Sequence, residues 1–285
     1  MDKTSGTGLQ TTANSLEDPA VASIGQVNLV GPQEIPVDYQ PLVPPVGIAG
    51  PTKFWVVYFF AGAVRKFDIR FWFEQLCVQH NYQLCMEEID LLRPGSNNDL
   101  GILTLQEQWT ANLGKYNAVL ITPPCSSFSR VTWANSRGPP PVRSANFPRG
   151  FPWLSKLHQD KAELGNTLTD FTWTILEKVQ ELGLTTNITG FAEHPEDLGR
   201  VRGRGPADVP ASIWQASRFA NLVKKGWWSG AFRQDKFGAP TAKPTRAIAK
   251  GKFFSAVAPS SMPTFDTRDF TLGQWKVAMG FGHLS

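Results

Sequence analysis

Cys125 is the residue of this chain with the plainest capacity for covalent chemistry. It follows Pro123-Pro124 and precedes Ser126-Ser127-Phe128-Ser129, which puts it on a stiff turn with hydroxyls nearby. A cysteine attacks as its thiolate, a form that neighbouring positive charge or a helix-end dipole stabilises; Arg130 lies five residues on. The same local sequence also suits a buried structural cysteine, since free cysteine packs as a small apolar group. Cys77 and Cys85, inside a helical and a strand pattern, read as structural. Glu193 is the second reactive candidate. It leaves the apolar run Ile188 to Ala192 and precedes His194-Pro195. Partial desolvation raises a carboxyl pKa, which suits a group that hands a proton to a ring nitrogen; a capping or surface glutamate is the alternative.

Two further positions suit a nucleoside ligand. In Phe59-Phe60-Ala61-Gly62-Ala63 a glycine follows an apolar strand, where it lets backbone approach a ligand closely, although no full GxGxxG is present. Glu88, with Glu87 as its rival, ends a second strand and is placed to accept from ribose hydroxyls.

The elements that must carry these residues alternate. Phe54–Phe60 is a continuous apolar run that predicts a strand buried on both faces, followed by a helical pattern to about His80 with Phe67, Phe71, Leu76 and Cys77 inward. Strands are predicted at Gln83–Met86, Asn117–Thr122 and Thr186–Ala192, with helices over about 159–182 and 211–225. Residues 126–155 are irregular, because GPPPVRS and FPRGFPW cannot be helix interiors. Residues 26–53, rich in Pro, Gly and Val, read as an extended arm, giving an expected boundary between 1–53 and a domain at 54–285. Strands alternating with helices predict an α/β fold, a doubly wound, mostly parallel sheet. In such sheets ligands bind at the carboxyl ends of the strands, and Gly62, Glu88, Cys125 and Glu193 all fall at predicted ends.

Composition narrows the class. With 41% hydrophobic and 18% charged residues in 285, the chain fits a globular protein, and no run of eighteen apolar residues predicts a membrane span. The N-terminus lacks a secretory layout and three cysteines cannot pair fully, so a reducing, intracellular setting is expected: nucleus in a eukaryote, cytoplasm in a prokaryote or virus. Residues 1–50 hold one basic and five acidic side chains, leaving 27 basic against 19 acidic beyond them. That imbalance suits a polyanionic partner.

Taken together these segments resemble the cytosine carbon-5 DNA methyltransferase family over residues 54–285. Phe60-Ala61-Gly62-Ala63 resembles its FAGxGG turn, Glu87-Glu88-Ile89-Asp90 its acidic SEID-type segment, and Thr122-Pro123-Pro124-Cys125-Ser126-Ser127-Phe128-Ser129 its PPCQxFS nucleophile motif. Glu193-His194-Pro195 resembles ENV or ENP. Phe237-Gly238-Ala239-Pro240 with Lys243-Pro244-Thr245-Arg246 resembles YGVPQxRxR with one residue more than the usual spacing. Arg268 to Thr271, then Met279-Gly280-Phe281, resembles the family's last RxLT…MGF stretch. The QxGNSV helix that ordinarily follows is not found after it. Ala13-Asn14-Ser15-Leu16 with Pro19 to Gly25 resembles that helix, permuted to the front at about 12–25.

The resemblance implies a Rossmann-like S-adenosylmethionine-dependent methyltransferase. It further implies Phe60, Ala61, Gly62, Ala63, Glu88, Ile89, Pro124 and Asn14 at the cofactor, and Cys125, Glu193 and Arg246 as the catalytic set. The Cys125 thiolate would add to carbon 6, Glu193 would engage ring nitrogen 3, and Arg246 would contact the base carbonyl. A target in a duplex would be flipped out. Segment 126–155 occupies the place of the family's mobile loop; Ser127, Ser129, Arg130, Arg137 and Arg143, interleaved with Trp133, Phe147, Phe151 and Trp153, suit phosphate contact and base stacking. A solvated loop with anchoring aromatics is the plainer alternative.

Three departures temper the match. His194 replaces the usual asparagine, the interval from Cys125 to Glu193 is some thirty residues long in excess, and only about twenty residues separate Arg246 from Arg268, where relatives carry a target-recognition region. Recognition would then come from a partner protein or from 126–160, and RNA or single-stranded DNA becomes an alternative substrate. An amino-group methyltransferase needs an aromatic where Cys125 stands; a binding module without turnover is the non-enzymatic alternative.

Overall fold

The computed structural model describes residues 51–94, 98–134, 138–201, 209–237 and 243–250. Asn14, Arg137, the 12–25 segment, and the Arg268 and Met279 stretches lie outside them. All the described residues belong to the second of two units into which the chain divides, Val46–Ser285.

Six strands form one sheet in the order β2-β1-β3-β4-β6-β5, with β1 at Thr52–Phe59, β2 at Tyr82–Ile89, β3 at Ala118–Ile121, β4 at Thr189–Pro195, β5 at Trp228–Arg233 and β6 at Pro244–Lys250. β1 pairs in parallel with β2 and β3, and β3 with β4; β6 runs antiparallel between β4 and β5. This is the α/β, doubly wound, mostly parallel Rossmann-like sheet expected from the sequence. β1 and β3 are hydrophobic on both sides because both faces are covered. One face packs Val57, Phe59, Val119, Ile121 and Ala192 against α2 (Leu103–Ala111), α4 (Lys156–Leu182) and α5 (Ser217–Lys224). The other places Val56, Ala118 and Leu120 with Ile69 and Phe73 of α1 (Ile69–Gln79). No helix among the described residues is long and apolar enough to cross a membrane.

The first crossover goes outward from β1 to β2, and the chain then returns to the other side of β1 to lay down β3. The order therefore reverses between β1 and β3, and the carboxyl ends of those two strands flank the crevice where α/β sheets bind ligands.

Several expected boundaries move. α1 begins after Asp68, whose carboxylate accepts from the Phe71 amide at 3.4 Å. Phe67 therefore lies outside the helix at φ 57°, and the inward stripe is Ile69, Phe73 and Cys77, whereas Phe67 and Leu76 are exposed. β2 and β4 run three residues longer than their apolar cores, so Glu88, Glu193 and His194 are strand residues rather than residues just past a strand. The irregular segment holds one short helical turn, α3 (Val131–Ala134).

Candidate active site

The turn after β1 is strained and tied down. Phe60 is left-handed at φ 61° and Gly62 at φ 69°; for a phenylalanine that conformation costs about 1–2 kcal/mol. The Phe60 amide donates to the Ile89 carbonyl at 2.8 Å, the Gly62 amide to Asp90 Oδ2 at 2.9 Å, and Arg93 Nε to the Gly62 carbonyl at 2.7 Å. The turn thus hangs on the end of β2. A side chain added at Gly62 would meet nothing nearer than an Arg65 nitrogen at 4.0 Å, so the space over this glycine is open.

Glu88 differs from its expected role as a free acceptor. Arg70 Nε lies 2.6 Å from Oε2 and Arg93 Nη2 lies 3.0 Å from Oε1, with the carboxylate 7% exposed. Oε1 carries that ion pair but no well-aligned hydrogen bond among the described residues. The open space over Gly62 and the buried Ile89 suit an adenosyl group, and Glu88 joins them as an acceptor only when one of its arginines moves away. Asp90, which sequence reasoning did not single out, holds both the Gly62 and Leu92 amides. Ala63 and Pro124 are exposed, on either side of the crevice.

Cys125 lies just beyond β3, half-buried and unpaired, and its carbonyl accepts from the Phe128 amide at 3.0 Å to close the turn. Because Ile121 pairs with Ala192, the chain leaves β3 beside Glu193 on β4. Tyr58, on β1, completes this edge: its hydroxyl lies 3.2 Å from Thr122 Oγ1, which donates to the Phe60 carbonyl at 3.0 Å. Burial pushes the Tyr58 phenol up, and the nearby Glu193 and Glu88 charges add to it. The phenol therefore stays protonated between the two carboxylates. In sequence Tyr58 reads as an ordinary strand residue, and Thr122 only as the residue that leads into the Pro-Pro-Cys segment.

The turn that carries Cys125 is moulded by α4. Ser127 is buried, and a Cβ built on Gly165 would come within 2.2 Å of its Oγ and 2.9 Å of Arg143 Nη2. Glycine costs about 1 kcal/mol inside a helix relative to alanine, so its place in the middle of α4 reflects this close approach. Ser129 is likewise occupied: its Oγ accepts from the Val131 amide and its carbonyl from Thr132, starting α3. Arg143 corrects the expectation of a phosphate contact. It is 1% exposed, donates to the Pro148 carbonyl, Asn166 Oδ1 and the Ala162 carbonyl at 2.7–2.8 Å, and lies 4.0 Å over the Phe128 ring. Burial holds its guanidinium down to about 10. Arg130 is also turned inward, donating to the carbonyls of Gly199 and Arg200 and so tying this turn to the chain after β4; burial brings it to about 10. Proline-rich sequence makes arginines look solvated, but such a loop offers carbonyls that no helix or sheet consumes; Arg130 takes up two of them, and Arg143 joins the Pro148 carbonyl to Ala162 and Asn166 of α4.

Arg246 is the second correction. β4 and β6 pair His194 with Arg246 and Glu193 with Ala247, and directly paired residues share a face. Arg246 therefore lies on the face opposite Glu193. Its Nε and Nη2 hold Glu196 at 3.0 and 2.8 Å, and Nη1 reaches Ser229. Glu193 instead meets Gln234 Nε2 at 3.4 Å and Lys243 Nζ at 3.6 Å. The spacing matched to Arg246 is one residue off, and one residue along a strand exchanges faces.

No protein-family model matches this chain, and no curated protein matches it. Among solved structures it is similar to one titled "Crystal structure of S. pombe Dnmt2 methyltransferase", at 14% identity and a TM-score of 0.32, over 73% of this chain; it spans 57% of that chain's length.

Proposed function

We propose that this protein transfers a methyl group from S-adenosylmethionine to carbon 5 of cytosine in DNA, with Cys125 as nucleophile. The observation that carries the reading is the convergence of Cys125 and Glu193 at the neighbouring ends of β3 and β4, beside the open turn at Gly62. The family resemblance of these segments supplies the reaction. S-adenosylmethionine supplies an electrophilic methyl group on a sulfonium. Gly62, Asp90, Ile89 and Glu88 hold and orient it; Glu88 does so once Arg70, the more exposed of its two partners, swings aside. The Cys125 thiolate adds to carbon 6 of the base, which makes carbon 5 nucleophilic enough to accept the methyl group. Glu193, in its acid form, donates its carboxyl proton to ring nitrogen 3 as negative charge develops there, and takes the proton back when the thiolate leaves. A general base then removes the carbon-5 proton and the thiolate leaves by elimination, restoring both the ring and Cys125. The excess of positive charge beyond residue 50 favours the polyanion.

The short interval between Arg246 and Arg268 favours a second reading, RNA or single-stranded DNA as substrate, or a partner protein that supplies target recognition. One assay separates these. Tritiated methyl transfer is measured on duplex DNA, single-stranded DNA and RNA, for the wild type and Cys125→Ser. The wild type is expected to yield 5-methylcytosine and the variant none, and a 5-fluorocytosine oligonucleotide is expected to trap the wild type covalently. A 6-methyladenine product, or equal product from the variant, would overturn the mechanism. The resemblance of residues 12–25, with Asn14, to the family's closing helix predicts that deletion of residues 1–26 weakens S-adenosylmethionine binding by tenfold or more, on the order of 1.4 kcal/mol. Unchanged affinity in calorimetry would remove that segment from the site.

A further inference from the structure

Among the described residues, two glutamate–cation pairs lie where β4 meets β6, and they differ in kind. Glu196 is closed: its carboxylate is 1% exposed and is held by Arg246 through two nitrogens at 3.0 and 2.8 Å. Glu193 is slack: 20% exposed, it stands 3.6 Å from Lys243 and 3.4 Å from Gln234, longer than charged hydrogen bonds prefer. Lys243 is 36% exposed, so a ligand at this edge can reach both members of the pair. Its position is fixed from behind. The Gln234 amide donates to the Lys243 carbonyl at 3.1 Å, and the Gln234 side chain bridges Thr245 Oγ1, at 3.1 Å, and Glu193. Alternation along β6 then sets Thr245 and Ala247 on the Glu193 face and Arg246 on the other.

We propose that Lys243, not Arg246, is the cation that meets the target base, donating from Nζ to its ring carbonyl while Glu193 engages the adjacent ring nitrogen, with Gln234 as the residue that positions both. A lysine suits this open geometry because its three donors rotate on a flexible stem, whereas the planar arginine fork is committed to a carboxylate. The proposal deepens the methyltransferase reading and rests on it.

The test compares methyl transfer, melting temperature and the separate kcat and KM of Lys243→Met, Lys243→Arg and Arg246→Met, with Lys178→Met on the outer surface of α4 as a control for lost charge. Lys243→Met is expected to lower kcat on the order of 100-fold, as removal of one donor to a developing charge does. KM should move far less and the melting temperature should hold; Lys243→Arg should restore part of the rate, and Lys178→Met should match the wild type. Arg246→Met should chiefly lower the melting temperature, because it strands a buried carboxylate. An active wild type with an equally active Lys243→Met overturns the lysine assignment alone, as does a Lys243→Met whose loss is all in melting temperature. A wild type that methylates none of the three nucleic acids overturns the underlying reading instead.

Discussion

Arg143→Ala is expected to destabilise the protein by roughly 3–5 kcal/mol and to remove methyl transfer even at temperatures where the variant remains folded. The guanidinium serves three acceptors, the carbonyls of Pro148 and Ala162 and the Asn166 amide oxygen. Truncation leaves the Pro148 carbonyl and the Asn166 amide oxygen without that donor, at about 1–3 kcal/mol each before relaxation, takes a second donor from the Ala162 carbonyl of α4, and empties space beneath Phe128. The activity loss follows from geometry, because Phe128 closes the turn on the Cys125 carbonyl. Arg143→Lys keeps a charge and some donors but cannot fork, so it should fall between. Chemical denaturation of the three proteins, with 5-fluorocytosine trapping as the readout of Cys125, checks both parts. Full stability in Arg143→Ala would show that the carbonyls find other donors.

Acid should unfold this protein earlier than an ordinary α/β domain, and His194 is the reason. It is 2% exposed, packed edge-on to Phe128 and Trp214, and neither ring nitrogen has a hydrogen-bond partner among the described residues. Burial, with the charge of Lys243 adding to it, lowers its pKa to about 3 from 6.5. The unfolded chain therefore binds a proton between these values that the folded chain refuses. The contribution is whole above pH 6.5, is lost as pH falls toward 3 at about 1.4 kcal/mol per unit, and does not change further below that. His194→Leu should flatten this slope while costing little at pH 8, where an uncharged ring is replaced by an apolar group of similar size. Denaturant midpoints measured from pH 8 to 4 decide it: parallel curves for the two proteins would rule His194 out as the source.

The parts of the fold most legible in sequence were those where burial on both faces writes an unbroken apolar run. β1, β3 and the first half of β4 are of this kind, and α4 shows its buried stripe over 27 residues. β5 and β6 carry glycine, serine and arginine and are too short to declare a period, and α2 has no fully buried residue at all. Within the candidate site, Cys125 and Glu193 were visible by residue type and position, and they lie just past β3 and near the end of β4. The interior arginines were not, because their partners are brought to them only by the tertiary fold: loop carbonyls after β4 for Arg130, and the Pro148 carbonyl with Ala162 and Asn166 of α4 for Arg143. Arg246 failed for a different reason. Matching by motif assigned it to the site face, but only pairing with β4 reveals which residues of β6 share that face, and there Lys243 stands beside Glu193.

The strand order also has a consequence in time. β6 enters the sheet between β4 and β5, yet it is the last of the three to leave the ribosome. Until it arrives, β5 has no neighbour to pair with and the outer edge of β4 stands bare. N-terminal portions of a chain assemble first during synthesis, so β1 to β4, with the crevice beside Gly62, precede the placement of Lys243 against Glu193. The nascent protein would own the crevice before it owned the pairing of Lys243 with Glu193, and a chain interrupted near residue 240 would be left with a sticky strand edge along β4.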